Sequence, residues 1–184
     1  MRNVRLGRLG VAMALAGVLS LPSASAAAVT IVLKLMNIPG DSVLEGHSGE
    51  IEVLAFSSGL NAPFANNNPG SPTLTDVAIT KFLDRASVPL LKAAADGTSI
   101  GDALFTFIQS GEHPFPFYQV TLKNVFVTGV SASVNGDRNA LDTIRPIEFL
   151  SLHGSGIAWS YTPRDNNGDP QDPILGEYDP QLKP

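Results

Sequence analysis

The stretch FYQVTLKNVFVTGVSASV, residues 117–134, restricts the fold more than any other part of the chain. It is crowded with β-branched and aromatic residues, and no proline interrupts it. From Val120 one phase of alternation runs through Leu122, Asn124, Phe126, Thr128 and Val130. The other, from Gln119, runs through Thr121, Lys123, Val125, Val127 and Gly129. Period two over this length predicts one long strand with an inner and an outer face. An isolated strand or hairpin is marginal in water, so the inner face requires further strands or a helix to cover it.

The rest of the chain supplies them. AVTIVLKLMNI (28–38) is a strand candidate rich in Val, Ile and Leu, followed by the glycine-rich loop PGDSVLEGHSG. EIEVLAFSSGL then alternates, with Ile51, Val53 and Ala55 on one face and Glu50 and Glu52 on the other. NAPFANNNPGSP reads as loop by every turn signal. TLTDVAITKFL and GDALFTFIQSGE read as strands. RPIEFLSLHGSGIAWSYTP gives two more, broken near Gly154 and Gly156, with Ile157, Trp159 and Tyr161 sharing a face of the last. The count is seven or so strands, with no internal repeat.

One helix interrupts the strands. In RASVPLLKAAADG, Ser87 is the natural N-cap, because its hydroxyl can accept from an amide of the first turn. Pro89 falls in that turn, where its missing N–H costs nothing. Leu90, Leu91, Ala94 and Ala95 give an apolar side, and Gly97 fits the left-handed position past the end. A helix this short must pack on something, across one end of a sheet assembly or along its side.

The N-terminus reads differently. MRNVRLGR carries three arginines and no acid, LGVAMALAGVLSL is apolar, and PSASA places Ala24 and Ala26 in the A-x-A positions. This predicts a secretory signal peptide over residues 1–26, cut between Ala26 and Ala27. Spanning a bilayer takes about 20 apolar residues, so membrane insertion is not expected. The arginines stand singly, which favours the general secretory route. There is no cysteine, so disulfides, lipidation at the cleavage site and thiolate metal ligands are excluded. Without the leader's arginines, 9 basic side chains face 17 acidic ones, a net charge near −8. That excludes a basic nucleic-acid surface and disfavours an anionic membrane. The mature barrel domain is expected over 27–168, followed by an irregular tail over 169–184 that is too short for a second domain.

Taken in order, these elements resemble the haemolysin-coregulated protein (Hcp) family, the tube protein of type VI secretion. The resemblance covers roughly residues 31–168. It is carried by KLMNIPGDS with GHSGEIEVLAFSSGL, which hold Gly40 and Gly49, and by ITKFLDRASVPLLKAAADG, which holds Asp84, Ser87, Leu91 and Gly97. FYQVTLKNVFVTGVS and IEFLSLHGSGIAWSYTPRDNNG, with Trp159 and Tyr161, are similar to its late strands. The resemblance implies a mainly β fold of two sheets rolled into a β-barrel, with one short α-helix packed against it. It implies a homohexameric ring that stacks into a tube, lumens that hold effector proteins, and no catalytic residues or cofactor.

The leader departs from that pattern, because tube proteins of this family leave the cell through their own apparatus without a cleavable signal. A later start at Met36 would delete the first strand, and one at Met13 would leave an apolar run without its arginines. The expected location is therefore periplasmic or secreted, with the type VI route as the alternative. An exported binding module on the same fold, for matrix or carbohydrate, is the second functional reading.

Other chemistry is thin. His47, His113 and His153 stand singly and form no metal-binding pattern. GHSGE and HGSGI lack the nucleophile-elbow spacing of a hydrolase. Glu50 and Glu52 read as solvated or facing a neighbouring copy. DNNGD places Asp165, Asn167 and Asp169 at calcium-loop spacing, but Pro170 stands where such a loop needs glycine, so an acidic turn is expected. Trp159 and Tyr161 read as core or interface.

Overall fold

The computed structural model describes residues 28–65, 67–111, 114–134 and 145–181. The predicted cleavage site at Ala26 and Ala27, and His113, lie outside them. Elements follow in chain order as β1 (Val29–Leu35), β2 (Ile51–Ser57), β3 (Leu60–Asn61), β4 (Phe64–Ala65), β5 (Asn68–Pro69), β6 (Thr73–Leu74) and β7 (Val77–Phe82). After the helix α1 (Ser87–Asp96) come β8 (Ser99–Gln109), β9 (Phe115–Ser133), β10 (Ile147–His153), β11 (Gly156–Tyr161) and β12 (Ile174–Tyr178).

The long strand organises the fold. Along one edge, β9 pairs with β8 from Phe115 to Phe126. Along its other edge it pairs first with β11, from Tyr118 to Lys123, and then with β10, from Phe126 to Ser133. The second pairing closes the order β10-β7-β2-β1-β8-β9 into a six-stranded barrel, and the first extends the sheet outward through β11 to β12. Every pairing is antiparallel.

Changing partners midway means that the two faces of β9 do not keep their phases. Val120 and Leu122 are buried, but Asn124 adopts a left-handed φ of 44° and the next buried residues are Val125 and Val127. Opposite, Gly101 has φ 82°, and the register steps from Ala103↔Leu122 to Gly101↔Val125. This is a β-bulge, which turns the side chains beyond it over and bends the strand. A second register shift leaves Thr128 unmatched between Ser151↔Gly129 and Leu152↔Val127, and Val130 then turns back toward the core opposite Leu150.

The helix closes one barrel end. Adjacent strands run antiparallel, so the end of β7 and the starts of β8 and β10 lie at the same rim, and α1 crosses it between β7 and β8. Leu90 and Ala93 join the same core cluster as Leu33, Phe105, Val125 and Leu152. Leu90 is 1% exposed and Leu91 is 55% exposed, which corrects the predicted apolar side. The buried row is Ser87, Leu90 and Ala93, at a spacing of three. Gly97 ends the helix with φ 63° and ψ 32°, and its N–H donates to Ala93 O.

Two other expectations are corrected. The predicted loop NAPFANNNPGSP lies in an arm in which Leu60–Asn61 pairs with Thr73–Leu74, and Phe64–Ala65 with Asn68–Pro69. The expected irregular tail contains β12, in register with β11 from Ile157↔Tyr178 to Tyr161↔Ile174. Glycine, proline and asparagine mask the first signal. The second is a five-residue strand that gains its partner from long range.

Candidate assembly surface

Position begins at the buried end of β7. Lys81 is fully buried, directly opposite Glu148 of β10 and Val53 of β2. Its Nζ lies 2.6 Å from Glu148 Oε2 and 2.7 Å from Asp84 Oδ1, and it donates to Phe82 O at 2.9 Å and Ser87 Oγ at 3.0 Å. A buried ammonium is tolerated only when paired and hydrogen-bonded like this. Ser87 therefore does not cap the helix. Ala86 holds the N-cap position, and Asp84 Oδ1 accepts from the Ala86 N–H at 2.9 Å. The Ser87 hydroxyl turns inward, where it donates to Glu148 Oε2 at 2.6 Å and accepts from the Asp84 N–H at 3.0 Å. This cluster ties the helix start to β7 and β10.

The polar residues of β7 and β10 that face inward leave a charge-poor face outward. One row across the barrel runs Ala55, Thr80, Phe149 and Ser131. The row above is Phe82, Ile147 and Ser133, and the row below is Ser57, Ala78, Ser151 and Gly129. None of these residues is ionisable, but exposed Glu52 on β2 borders Phe82 in a cleft shared with Arg145. Phe149 is 50% exposed at their centre, with exposed Leu54 nearby on β2. At the margins Arg145 stacks 4.3 Å over the Phe82 ring, and His153 Nδ1 lies 2.8 Å from Asp76 Oδ1. The Thr128 hydroxyl also donates to Asp76, and holds its carboxyl below the usual range against the opposing effect of burial.

The extension β11–β12 forms the second surface. Trp159 packs against the core in the row Leu33, Phe105, Val120, Trp159. It also borders a groove of about 570 Å³ with Gln119, Ser160, Leu175 and Glu177. Tyr161, one turn of the pleat further, is exposed, as are Ile174 and Leu175. The Tyr178 hydroxyl donates to Pro72 O and so ties β12 to the arm.

The remaining predicted positions sort by backbone demand. A Cβ on Gly40 would stand 2.3 Å from Glu50 O, because the β1–β2 loop doubles back there through Gly40 N–H to Gly49 O at 2.8 Å. Gly49 has φ 78°. Glu50 precedes β2 and pairs with His47 at 2.9 Å, whereas Glu52 is exposed on the strand, so the two carboxylates do not work as a pair. Asp165 Oδ1 accepts from the N–H groups of Asn167 at 2.8 Å and Asp169 at 2.9 Å, which lowers its pKa and makes DNNGD a self-closed turn. Among the described residues no cluster of His, Asp and Glu could hold an ion, and no helix is long and apolar enough to cross a membrane. The inward Lys81 and Glu148 escaped the sequence reading, although alternation in VAITKF and IEFLSL places both in the buried phase.

Comparison with known proteins agrees with this architecture. The family model described as type VI secretion system effector, Hcp, matches residues 32–161. Protein hcp1 of Pseudomonas aeruginosa is 26% identical over 147 residues, covering 77% of this chain and 88% of that protein. A structure described as a type six secretion system protein superposes with TM-score 0.71 at 27% identity, covering 82% of this chain and 93% of the other. Hcp1 from Salmonella typhimurium superposes with TM-score 0.67 at 25% identity, covering 84% and 96%. With the family match extending over most of the barrel, from β1 to the end of β11, this chain belongs to the Hcp family of type VI secretion system structural proteins.

Proposed function

We propose that the protein works by self-assembly, as a homohexameric ring whose copies stack into a tube and whose lumen holds effector proteins. It needs no cofactor and performs no catalysis. The observation that carries this reading is the charge-poor outer face of β10 and β7 centred on half-exposed Phe149, with Glu52 and Arg145 only at its upper margin, on a chain of net charge −5. Interface cores are depleted in charge and enriched in aromatic residues. Light scattering over a concentration series tests it. A mass near six protomers supports the ring, and a protomer mass at every concentration rejects it.

We further infer that residues 1–26 direct export, with cleavage between Ala26 and Ala27. The leader's composition supports this and favours a second reading, an exported binding module on the same barrel that does not join a secretion tube. Mass spectrometry of the protein recovered outside the cytoplasm separates the routes. A mature N-terminus at Ala27 supports leader-dependent export. An intact Met1 in the medium, lost when the secretion apparatus is disabled, supports the tube route.

A further inference from the structure

We propose that closure of the barrel shuts off removal of the leader. The bond between Ala26 and Ala27 is open to a signal peptidase only until β1 enters the sheet, so a copy that folds first keeps its leader. This rests on the leader reading above and adds the event that divides the two routes of export.

The chain has almost no slack at the cut. Strand β1 starts at Val29, and the Ala28 carbonyl accepts from the Ser110 N–H at 2.8 Å. Only Ala27 and Ala28 lie between the bond to be cut and the first residue of β1. Fully extended, they span at most about 7 Å. Water adds across the Ala26–Ala27 amide in the peptidase, leaving a carboxylate on Ala26 and an amine on Ala27. For this the substrate lies extended in a cleft, as an added strand, over residues on both sides of the bond.

The barrel can lend little length. Val29 and Thr30 pair with β8 alone, opposite Gln109 and Ile108, and Val29 is 50% exposed, so these two residues can fray. From Ile31 the strand is held along both edges, by Val53 and Phe107, and Val32 and Leu33 are buried. Freeing more of β1 means opening the core, because β1 stands between β2 and β8 in the closed order. Cutting of a folded copy is therefore limited by the population of its frayed end.

The topology also supplies the delay that export needs. The partners of β1 on β8 run from Ala103 to Gln109, far along the chain. Pairing across such a sequence separation is slow. The general secretory route carries chains before they fold, and during that interval the bond is exposed. A copy whose β1 pairs with β8 before export retains residues 1–26, and the type VI apparatus is the route left to it.

The full-length chain is made by cell-free translation, with detergent-solubilised bacterial signal peptidase present from the start or added after folding. Mass spectrometry reads the N-terminus. A start at Ala27 is expected in the first case, and its formation about tenfold slower or slower still in the second. A variant with Gly-Ser-Gly-Ser-Gly-Ser inserted between Ala27 and Ala28 gains about 20 Å of reach. Its folded form is expected to be cut nearly as fast as the nascent chain. Equal rates for nascent and folded parent overturn the inference and leave the leader reading intact. A folded spacer variant as resistant as the parent also overturns it, because reach is then not what protects the bond. A nascent chain that is never cut at Ala26 overturns the leader reading and the inference together.

Discussion

Lys81 and Glu148 stand directly opposite each other across the β7–β10 pairing, with Nζ 2.6 Å from Oε2 in the closed interior of the barrel. The pair sits beneath the start of α1 and takes in Ser87 from the helix itself. An ion pair in that position contributes less to net stability than to fixing where the helix lands.

Removing one partner should therefore be severe. Lys81→Met leaves Glu148 and Asp84 buried without their cation, and is expected to cost about 3–5 kcal/mol. Adding Glu148→Leu to Lys81→Met should recover a large part of the loss, because two apolar groups no longer bury an unpaired charge. Urea denaturation of the single and double variants measures both. A single variant within 1 kcal/mol of the parent, taken as about the error of such a comparison, would show that the pair is not sealed from water.

The helix face gives the sharpest contrast between neighbours. Leu90→Ala should cost about 2–5 kcal/mol, since Leu90 sits in the barrel core. Leu91→Ala should stay within about 0.5 kcal/mol, since Leu91 faces outward. Equal losses at both positions would mean that α1 is rotated from the orientation described.

That contrast shows how far the sequence could be read. The helix bounds, the Gly97 terminus and the mainly β fold follow from local signals such as glycine, proline and period-two alternation. Which face of α1 is buried does not follow, because PLLKAAA is apolar most of the way round and the choice depends on the distant partners of Ser87. The long strand failed for a related reason. Its phase is correct up to Leu122 and reversed from Val125, because Asn124 inserts a bulge that only the pairing with Gly101 reveals. The arm and β12 were missed because their pairings are short or distant. Lys81 and Glu148 were legible in the alternation of their strands, but a charged residue in a buried phase is readily assigned to solvent.

The bulge itself can be tested. Asn124 holds φ 44°, accepts from the Ser99 hydroxyl at 2.9 Å, and has its N–H on Asp102 Oδ1 at 3.0 Å. Asn124→Gly keeps the backbone conformation and should change stability by only a few tenths of a kcal/mol, taken as about the loss of one exposed hydrogen bond. Asn124→Val places a β-branched residue at positive φ and should cost about 1–3 kcal/mol. If valine is tolerated as well as glycine, the strand does not need the bulge to change partners.

Gly40 and Gly46 separate steric from conformational demand. An alanine Cβ at Gly40 would overlap the Glu50 carbonyl at 2.3 Å, and backbone must move to admit it. At Gly46, with φ 77°, nothing lies within 4 Å, so alanine meets only the left-handed penalty of about 1–2 kcal/mol. Gly40→Ala should therefore lose clearly more stability than Gly46→Ala, and thermal melts of the two variants rank them. The reverse order would place the β1–β2 loop away from the start of β2.

Acid sensitivity follows from the surface aspartates. Asp76 is held below its usual range by the Thr128 hydroxyl first, then by His153 and Ser151, against the opposing effect of burial. Asp102 is lowered by Lys123 and the Asn124 N–H. A carboxyl depressed in the folded state binds its proton less readily than in the unfolded chain, where its pKa is about 3.9. Its contribution is fully present above that value and is lost as pH falls through the lower folded value. Stability should hold from neutral pH down to about 4 and then fall. Asp76→Asn removes one of the responsible protons, so its stability should decline less steeply below about pH 4 than the parent's. The slope of the urea midpoint against pH is the measurement. Identical slopes would mean that the Asp76 contacts with Thr128, Ser151 and His153 are not held in solution.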